Sequence, residues 1–287
     1  MLDGEGPGPG ARPGVAGVAP GAGCITLDAL GRSYRELNRT LRALTARRGV
    51  SRISVTNVLG QRYIGTGLRG EIEVMLYGTP GNDLGAFMDG PVIYVYGNAQ
   101  DGVGNTMNSG KIVVYGNAGD IAAMSMRGGK IFIRGNVGSR SAIHMKECGE
   151  KRPLLVVGGT AHDFFGEYMA GGTAILLGLN LGPGEYHKAN FIGTGMHGGE
   201  IFIRGRVDPY QLGAAVKISQ PAEDDMRLIA DAVGEFAELF GYDVDEIMHE
   251  NFLKLSPKSL RPFAGLYHAG SRDDSYNGDG AGECLGE

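Results

Sequence analysis

The stretch that decides the fold is residues 85–137, GAFMDGPVIYVYGNAQDGVGNTMNSGKIVVYGNAGDIAAMSMRGGKIFIRGNV, because it repeats itself. Aligned on glycine, GAFMDGPVIYVYGNA (85–99), GNTMNSGKIVVYGNA (104–118) and AMSMRGGKIFIRGNV (123–137) reduce to roughly G-x-x-M-x-G-G-x-I-x-I-x-G-N. Met88, Met107, Met126 and Met145 lie 19 residues apart, and Gly78, Gly97, Gly116 and Gly135 keep the same interval. Further along, GEYMAGGTAILLGLN (166–180) and GTGMHGGEIFIRGRV (193–207) continue the pattern at longer spacing, 24 residues from Met145 to Met169 and 27 from Met169 to Met196. The added residues, CGEKR (148–152) and GPGEYHKAN (182–190), fall in turns, where a solenoid tolerates insertion.

In each copy the segment before the closing glycine is short, β-branched and too brief for a helix, so it reads as a strand. Glycine on both sides permits positive φ and tight corners, and a 19-residue coil of two or three short strands can then return and stack on itself. The fold expected is all-β: a right-handed parallel β-helix, a single-stranded solenoid of about seven coils with α-helices at both ends. At an interstrand spacing of about 4.8 Å the rod would be on the order of 35 Å long.

Alternation assigns the faces. Ile93 with Val95, Ile112 with Val114, Ile131 with Ile133, and Ile201 with Ile203 should point inward as stacked ladders. Gly85, Gly104, Gly129, Gly166 and Gly193 recur as repeat glycines, and Met88, Met107, Met126, Met169 and Met196 as an unbranched ladder suited to a narrow interior. The opposite strand face carries Met75, Tyr94, Val113, Phe132, Leu155, Ile175 and Phe202, a ridge too apolar to stand in water. It is a candidate partner interface, unless the chain's own helices cover it.

The flanks read differently. Residues 1–23 are mostly Gly, Pro, Ala and Val and read as a mobile tail; residues 269–287 return to Gly, Ser and Asp and read as a second one. Between 24 and 50, Leu27, Leu30, Tyr34, Leu37, Leu41 and Leu44 alternate steps of three and four, the stripe of a helix. Its other face is basic, with six arginines between 32 and 48 against Glu36. After the repeats of 51–220, the extension 221–268 opens with PAEDDMRLIADAVGEFAELF (221–240), whose Met226, Ile229, Val233, Phe236 and Phe240 again have helical spacing, and DVDEIMHENF (243–252) reads as a second helix. Residues 222–250 hold ten acids against Arg227, the reverse of the N-terminal helix.

Composition narrows the function. The 51 glycines, about 18% of 287 residues, do not recur every third position, which excludes collagen. A net charge of −5 indicates neither nucleic acid nor an anionic membrane as partner. No apolar run approaches the roughly 20 residues of a membrane span and no signal peptide opens the chain, so it reads as soluble and cytoplasmic. Cys24, Cys148 and Cys284 are far apart and form no CxxC, supplying neither a zinc nor an iron–sulfur ligand set. GTGLRG (65–70) and GTGMHG (193–198) match G-x-G-x-x-G, yet each leads into a strand rather than a helix N-terminus that could hold pyrophosphate. The six histidines show no metal-ligand spacing, and the repeat acids Asp89, Asp101, Asp120, Asp163 and Glu167 fall at corners, where Asp serves turn geometry. No catalytic, cofactor-binding or metal-binding residue is assigned.

At this point the repeats resemble a known family. GAFMDGPVIYVYGNAQDGVGNTMNSGKIVVYG and HDFFGEYMAGGTAILLG look like the C-terminal β-helix (GXGXG) domain of the glutamate synthase large subunit, over roughly residues 52–206. RELNRTLRAL (35–44) before RISVTNVLGQRYIGTGL resembles the entry to that domain in stand-alone forms, and the repeats are also similar to those of one of the formylmethanofuran dehydrogenase subunits. The resemblance implies a non-catalytic scaffold in a multi-subunit assembly. Glutaminase-type and synthase-type partner subunits would hydrolyse glutamine and reduce 2-oxoglutarate, with FMN and iron–sulfur clusters in those partners and none here. The alternatives are a formylmethanofuran-dehydrogenase-like subunit and a β-helix enzyme acting on a carbohydrate or ester.

Overall fold

The computed structural model of the chain describes residues 23–258. The expected mobile tails, Gly23 aside, lie outside the described residues, as do residues 259–268 of the extension. The strands are β1 (Cys24–Asp28), β2 (Arg52–Leu59), β3 (Glu73–Thr79), β4 (Asp89–Tyr96), β5 (Ser109–Val114), β6 (Lys130–Ile133), β7 (Leu154–Val157), β8 (Ala170–Leu176), β9 (Gly198–Arg204), β10 (Val216–Ser219) and β11 (Phe252–Pro257). The helices are α1 (Tyr34–Thr45), α2 (Glu223–Phe240) and α3 (Val244–Met248).

All the described strands join one sheet in the order β1-β2-β3-β4-β5-β6-β7-β8-β9-β11-β10, parallel from β1 to β9. Chain order equals stacking order, which makes this a β-solenoid, of about 6 turns rather than seven. Each coil contributes one named strand instead of two or three. Elsewhere around the coil, single bridges such as Ala99↔Ala118 and Ile192↔Leu212 hold neighbours together.

The register reproduces the repeat. Val74, Ile93, Ile112 and Ile131 pair in succession 19 residues apart, then Leu155, Ala174 and Ile201 follow at 24, 19 and 27. This column and its companion Leu76, Val95, Val114, Ile133, Val157, Leu176 and Ile203 are buried inside the coils. So are Met88, Met107, Met126, Met145, Met169 and Met196, which run as a ladder through the same core. Leu155 is therefore an interior residue, not a member of the ridge. The insertion before β7 shifts the count by one, and Val156 pairs with Phe132 and Ile175 in its place.

Each coil turns through a corner where alternate residues are left-handed: 63/65/67, 83/85/87, 102/104/106 and so on to 191/193/195. The middle position of each triplet faces inward. At Gly85 (φ +66°) an added Cβ would lie 2.6 Å from Ile112 Cδ1, so the adjoining isoleucine leaves no room for a side chain. Gly104, Gly166 and Gly193 hold the same place, while Ala123 and Ala142 hold it in two middle coils. Gly129 (φ +82°) leads instead into β6, where a Cβ would meet Met107 Cε at 2.5 Å.

The flanks depart from the reading in two places. The helix begins at Tyr34, behind a capping box made by Ser33 and Glu36, and not near residue 27. Leu27 belongs to β1 and points inward, whereas Leu30 is 63% exposed. Leu37, Leu41 and Leu44 do form one buried stripe, closing the first coil. At the other end α2 matches its predicted span and stops at Gly241 in the left-handed region (φ 73°). The chain then re-enters the sheet: β11 lies antiparallel to β9 and carries β10 at its far side, capping the last coil.

Candidate functional site

The outer sheet face is the surface on which a scaffold role would rest. Its central column runs Ser54, Met75, Tyr94, Val113, Phe132, Val156, Ile175, Phe202 and, on β11, Lys254. The structure divides this column. Phe132, Val156, Ile175 and Phe202 are buried in a second core with Ile229, Val233 and Phe236 of α2, Ile247 of α3, and Phe252. Partner contact expected at Phe132, Ile175 and Phe202 is thus replaced by the chain's own helices. The acid-rich extension has an apolar stripe of matching length, and packing it here removes both apolar surfaces from water. Val113 is buried as well, while Met75 and Tyr94 remain half-exposed on strands that α2 does not reach.

Ion pairs fix where α2 lies. At its start Asp225 pairs with Lys254 at 2.7 Å; that lysine also pairs with Glu200 at 2.5 Å and sits over the Phe202 ring. Towards its end Glu235 bridges Lys111 and Lys130, 2.6 Å from the latter, and Phe240 packs edge-on against Tyr115. The helix therefore crosses the strands from β11 to β5. At 1.5 Å per residue its 18 residues span about 27 Å, close to the roughly 24 Å across those six strands. Burial works to raise the Asp225 and Glu235 carboxyls, but hydrogen bonds and charge from their lysines outweigh it and hold both below the usual carboxylate range.

From Tyr115 a ladder of stacked tyrosines continues down the uncovered strands, Tyr115 on Tyr96 and Tyr96 on Tyr77, each at 4.9 Å. Burial, then the neighbouring tyrosines, push Tyr96 up to about 12. Beside the starts of β2, β3 and β4 lies a groove of about 420 Å³, lined in part by Arg52, Glu71, Glu73 and Val92. Arg52 and Glu73 pair across its floor at 2.6 Å.

The other motifs resolve into structure. Both G-x-G-x-x-G matches are left-handed corners, at Gly65 and Gly67 and at Gly193 and Gly195. Asp101 and Asp120 each accept a hydrogen bond from a backbone N–H of the next coil, from Asp120 at 2.9 Å and Ser139 at 2.8 Å, and Asp163 accepts from Asn190 at 2.8 Å. Asn98, Asn117 and Asn136 form a parallel ladder of the same kind. Asp89 accepts from Ser109 Oγ at 2.6 Å, and Glu167 lies 3.2 Å from Arg140. These acids tie coil to coil. His187 is buried, its Nε2 2.9 Å from the Arg204 carbonyl, and burial holds its pKa below the ordinary value. Among the described residues no group of three or more His, Cys, Asp or Glu could hold a metal ion, Cys24 is a free thiol, and no helix is long and apolar enough to cross a membrane.

One surface escaped the sequence reading. At the corners Phe87, Tyr168 and Phe191 are 54%, 46% and 51% exposed. Phe191 stacks on Phe164 at 4.9 Å and Tyr168 on His144 at 5.4 Å, with Arg140 over Phe164. These rings occupy left-handed positions costly for bulky side chains. The available signal was their fixed offset from the corner glycines.

A parallel solenoid with glycine-alternating corners, an apolar interior and a helix-clad outer face is the class of protein so defined. The chain belongs to the GXGXG motif family, which matches residues 33–261. It is 45% identical over 250 residues, 85% of this chain and 96% of the relative, to the uncharacterized protein MJ1350 of Methanocaldococcus jannaschii. Among solved structures it is similar in fold to a chain in a crystal structure of the formyltransferase/hydrolase complex (FhcABCD) from Methylorubrum extorquens in complex with methylofuran. That likeness has a TM-score of 0.52 at 16% identity and covers 78% of this chain and 87% of the other.

Proposed function

We propose that the chain is a non-catalytic scaffold subunit of a multi-subunit oxidoreductase assembly of the glutamate synthase type. In this reading glutaminase-type and FMN- and iron–sulfur-bearing synthase-type subunits perform glutamine amidotransfer and reductive amination of 2-oxoglutarate, in the cytoplasm, around this solenoid. The observation that carries it is the half-clad outer face: a family solenoid whose repeat acids are committed to joining coils still presents Met75, Tyr94 and the tyrosine ladder without a cover among the described residues.

The fold likeness to a chain of the FhcABCD complex supports a second reading, a scaffold in a one-carbon formyl-transfer assembly. Purification of the tagged chain from its native source, with flavin, iron and subunit analysis, separates the two. Glutaminase-type and flavin–iron–sulfur subunits in fixed ratio are expected, with no flavin, metal or nucleotide on the isolated chain. Formyltransferase-type subunits would favour the second reading, and stoichiometric FMN, iron or NAD(P) on the isolated chain would overturn both.

A further inference from the structure

We propose that the uncovered strands β2–β4 are the docking site for a basic amphipathic helix of a partner subunit, laid end to end with α2. The inference rests on the scaffold reading and names the partner chemistry that reading requires.

The covered half shows how this face takes a helix. α2 crosses the strands along the stacking axis, its apolar stripe on the central column and Glu235 on Lys111 and Lys130. Its last turn meets Tyr115, and beyond Gly241 the chain doubles back, so that Arg204 Nε donates to the Ile247 carbonyl at 2.7 Å. The helix line stops there while the sheet continues. Three more strands extend it by about 14 Å, or two to three helical turns.

The two halves have opposite charge beside the central column. Lys130, Lys111, Val92, Glu73 and Arg52 pair in succession, so the flank is cationic under α2 and changes sign below it. Glu73 is matched by Arg52, but Glu71 is exposed at the groove and makes no ion pair among the described residues. The groove has one cation and two carboxylates, so it accepts a Lys or Arg from a helix whose apolar side chains cover Met75 and Tyr94. A second copy does not supply that helix. The apolar stripe of the arginine-rich α1 is buried in its own first coil, and the exposed side of α2 is acidic.

Two measurements test this. In fluorescence anisotropy with the full chain, two labelled synthetic helices share an apolar stripe and differ only in Lys or Glu flanks. The Lys helix should bind about tenfold more tightly, Glu71→Lys should cancel that preference, and Tyr94→Glu should abolish binding of both while circular dichroism stays unchanged. Equal affinity for the two helices, or binding indifferent to Tyr94→Glu, would overturn the site. So would a dimer by light scattering that Tyr94→Glu dissociates, since the occupant would then be a second copy. In the purified assembly, Tyr94→benzoylphenylalanine should photo-cross-link to a basic helical segment of a partner, whereas the same replacement at Tyr210, exposed near β10, should not. An assembly that forms without this cross-link defeats the docking site and leaves the scaffold reading standing; absence of any assembly defeats the scaffold reading, with the peptide result still deciding the site.

Discussion

The outer face under α2 and the same face below it are built from one repeat and have different fates. Above, the column is Phe132, Val156, Ile175 and Phe202, large and wholly apolar, and it is buried by residues further along the chain, about a hundred positions beyond Phe132. Below, it is Ser54, Met75 and Tyr94, flanked by tyrosines and a salt bridge, and it stays half-exposed. A solenoid can thus use one surface both as core and as interface, and side-chain polarity marks the boundary. Substituting across that boundary, and in the interior common to both halves, tests the division.

The largest effect belongs to the interior. Ile131→Asp places a carboxylate among Ile112, Leu155 and the methionine ladder, with no partner and no water, and should cost on the order of several kcal/mol. A thermal midpoint matching wild type would mean that the strand register is slipped by one.

Next comes the covered half. Phe132→Glu together with Phe202→Glu introduces two charges beneath α2, each costing roughly 2 kcal/mol or more. The isolated chain, with no partner present, should lose stability in urea titration and become cleavable within 223–240. An unaltered urea midpoint would show that α2 is not the cover.

A smaller effect comes with pH. Asp225 and Glu235 have lowered pKa values in the folded chain, so the stability they contribute is present above their unfolded values and is lost as pH falls through the folded ones. In acid below the usual carboxylate range, α2 should become protease-sensitive before the coils melt. Lys111→Met with Lys130→Met should remove the Glu235 part of that dependence, and an unchanged acid profile in this variant would disprove the bridge.

The smallest effect on stability is expected on the open half. Met75→Glu with Tyr94→Glu should alter the unfolding free energy by about 1 kcal/mol or less, while abolishing entry into the assembly. A large loss of stability would show that these residues are covered within the chain, contrary to the division of the face into two halves.

Most of the solenoid is legible in the sequence. The 19-residue spacing of Met88, Met107 and Met126 and the alternation in VIYV, KIVV and KIFI specify coil length and inward residues, because period and pleat are local properties. Leu155 falls on the wrong face in that reading because a turn insertion changes register by a count that only pairing reveals. The helix start at Tyr34 is hidden because Leu27 and Leu30 fit the helical stripe by spacing, although one lies on a strand and the other in a loop.

By itself, then, the sequence determined the repeat, the interior ladders, the corner glycines and the existence of α2. It also showed that an apolar ridge demanded a cover. Only the tertiary structure decided what the cover is, because α2 and β6 are about a hundred residues apart and nothing in either periodicity says which surfaces meet. The antiparallel return of β11 and the charge reversal along the flank are of the same kind: each depends on which strands become neighbours, and neighbour relations are settled by packing across the whole chain rather than by the pattern within any one coil.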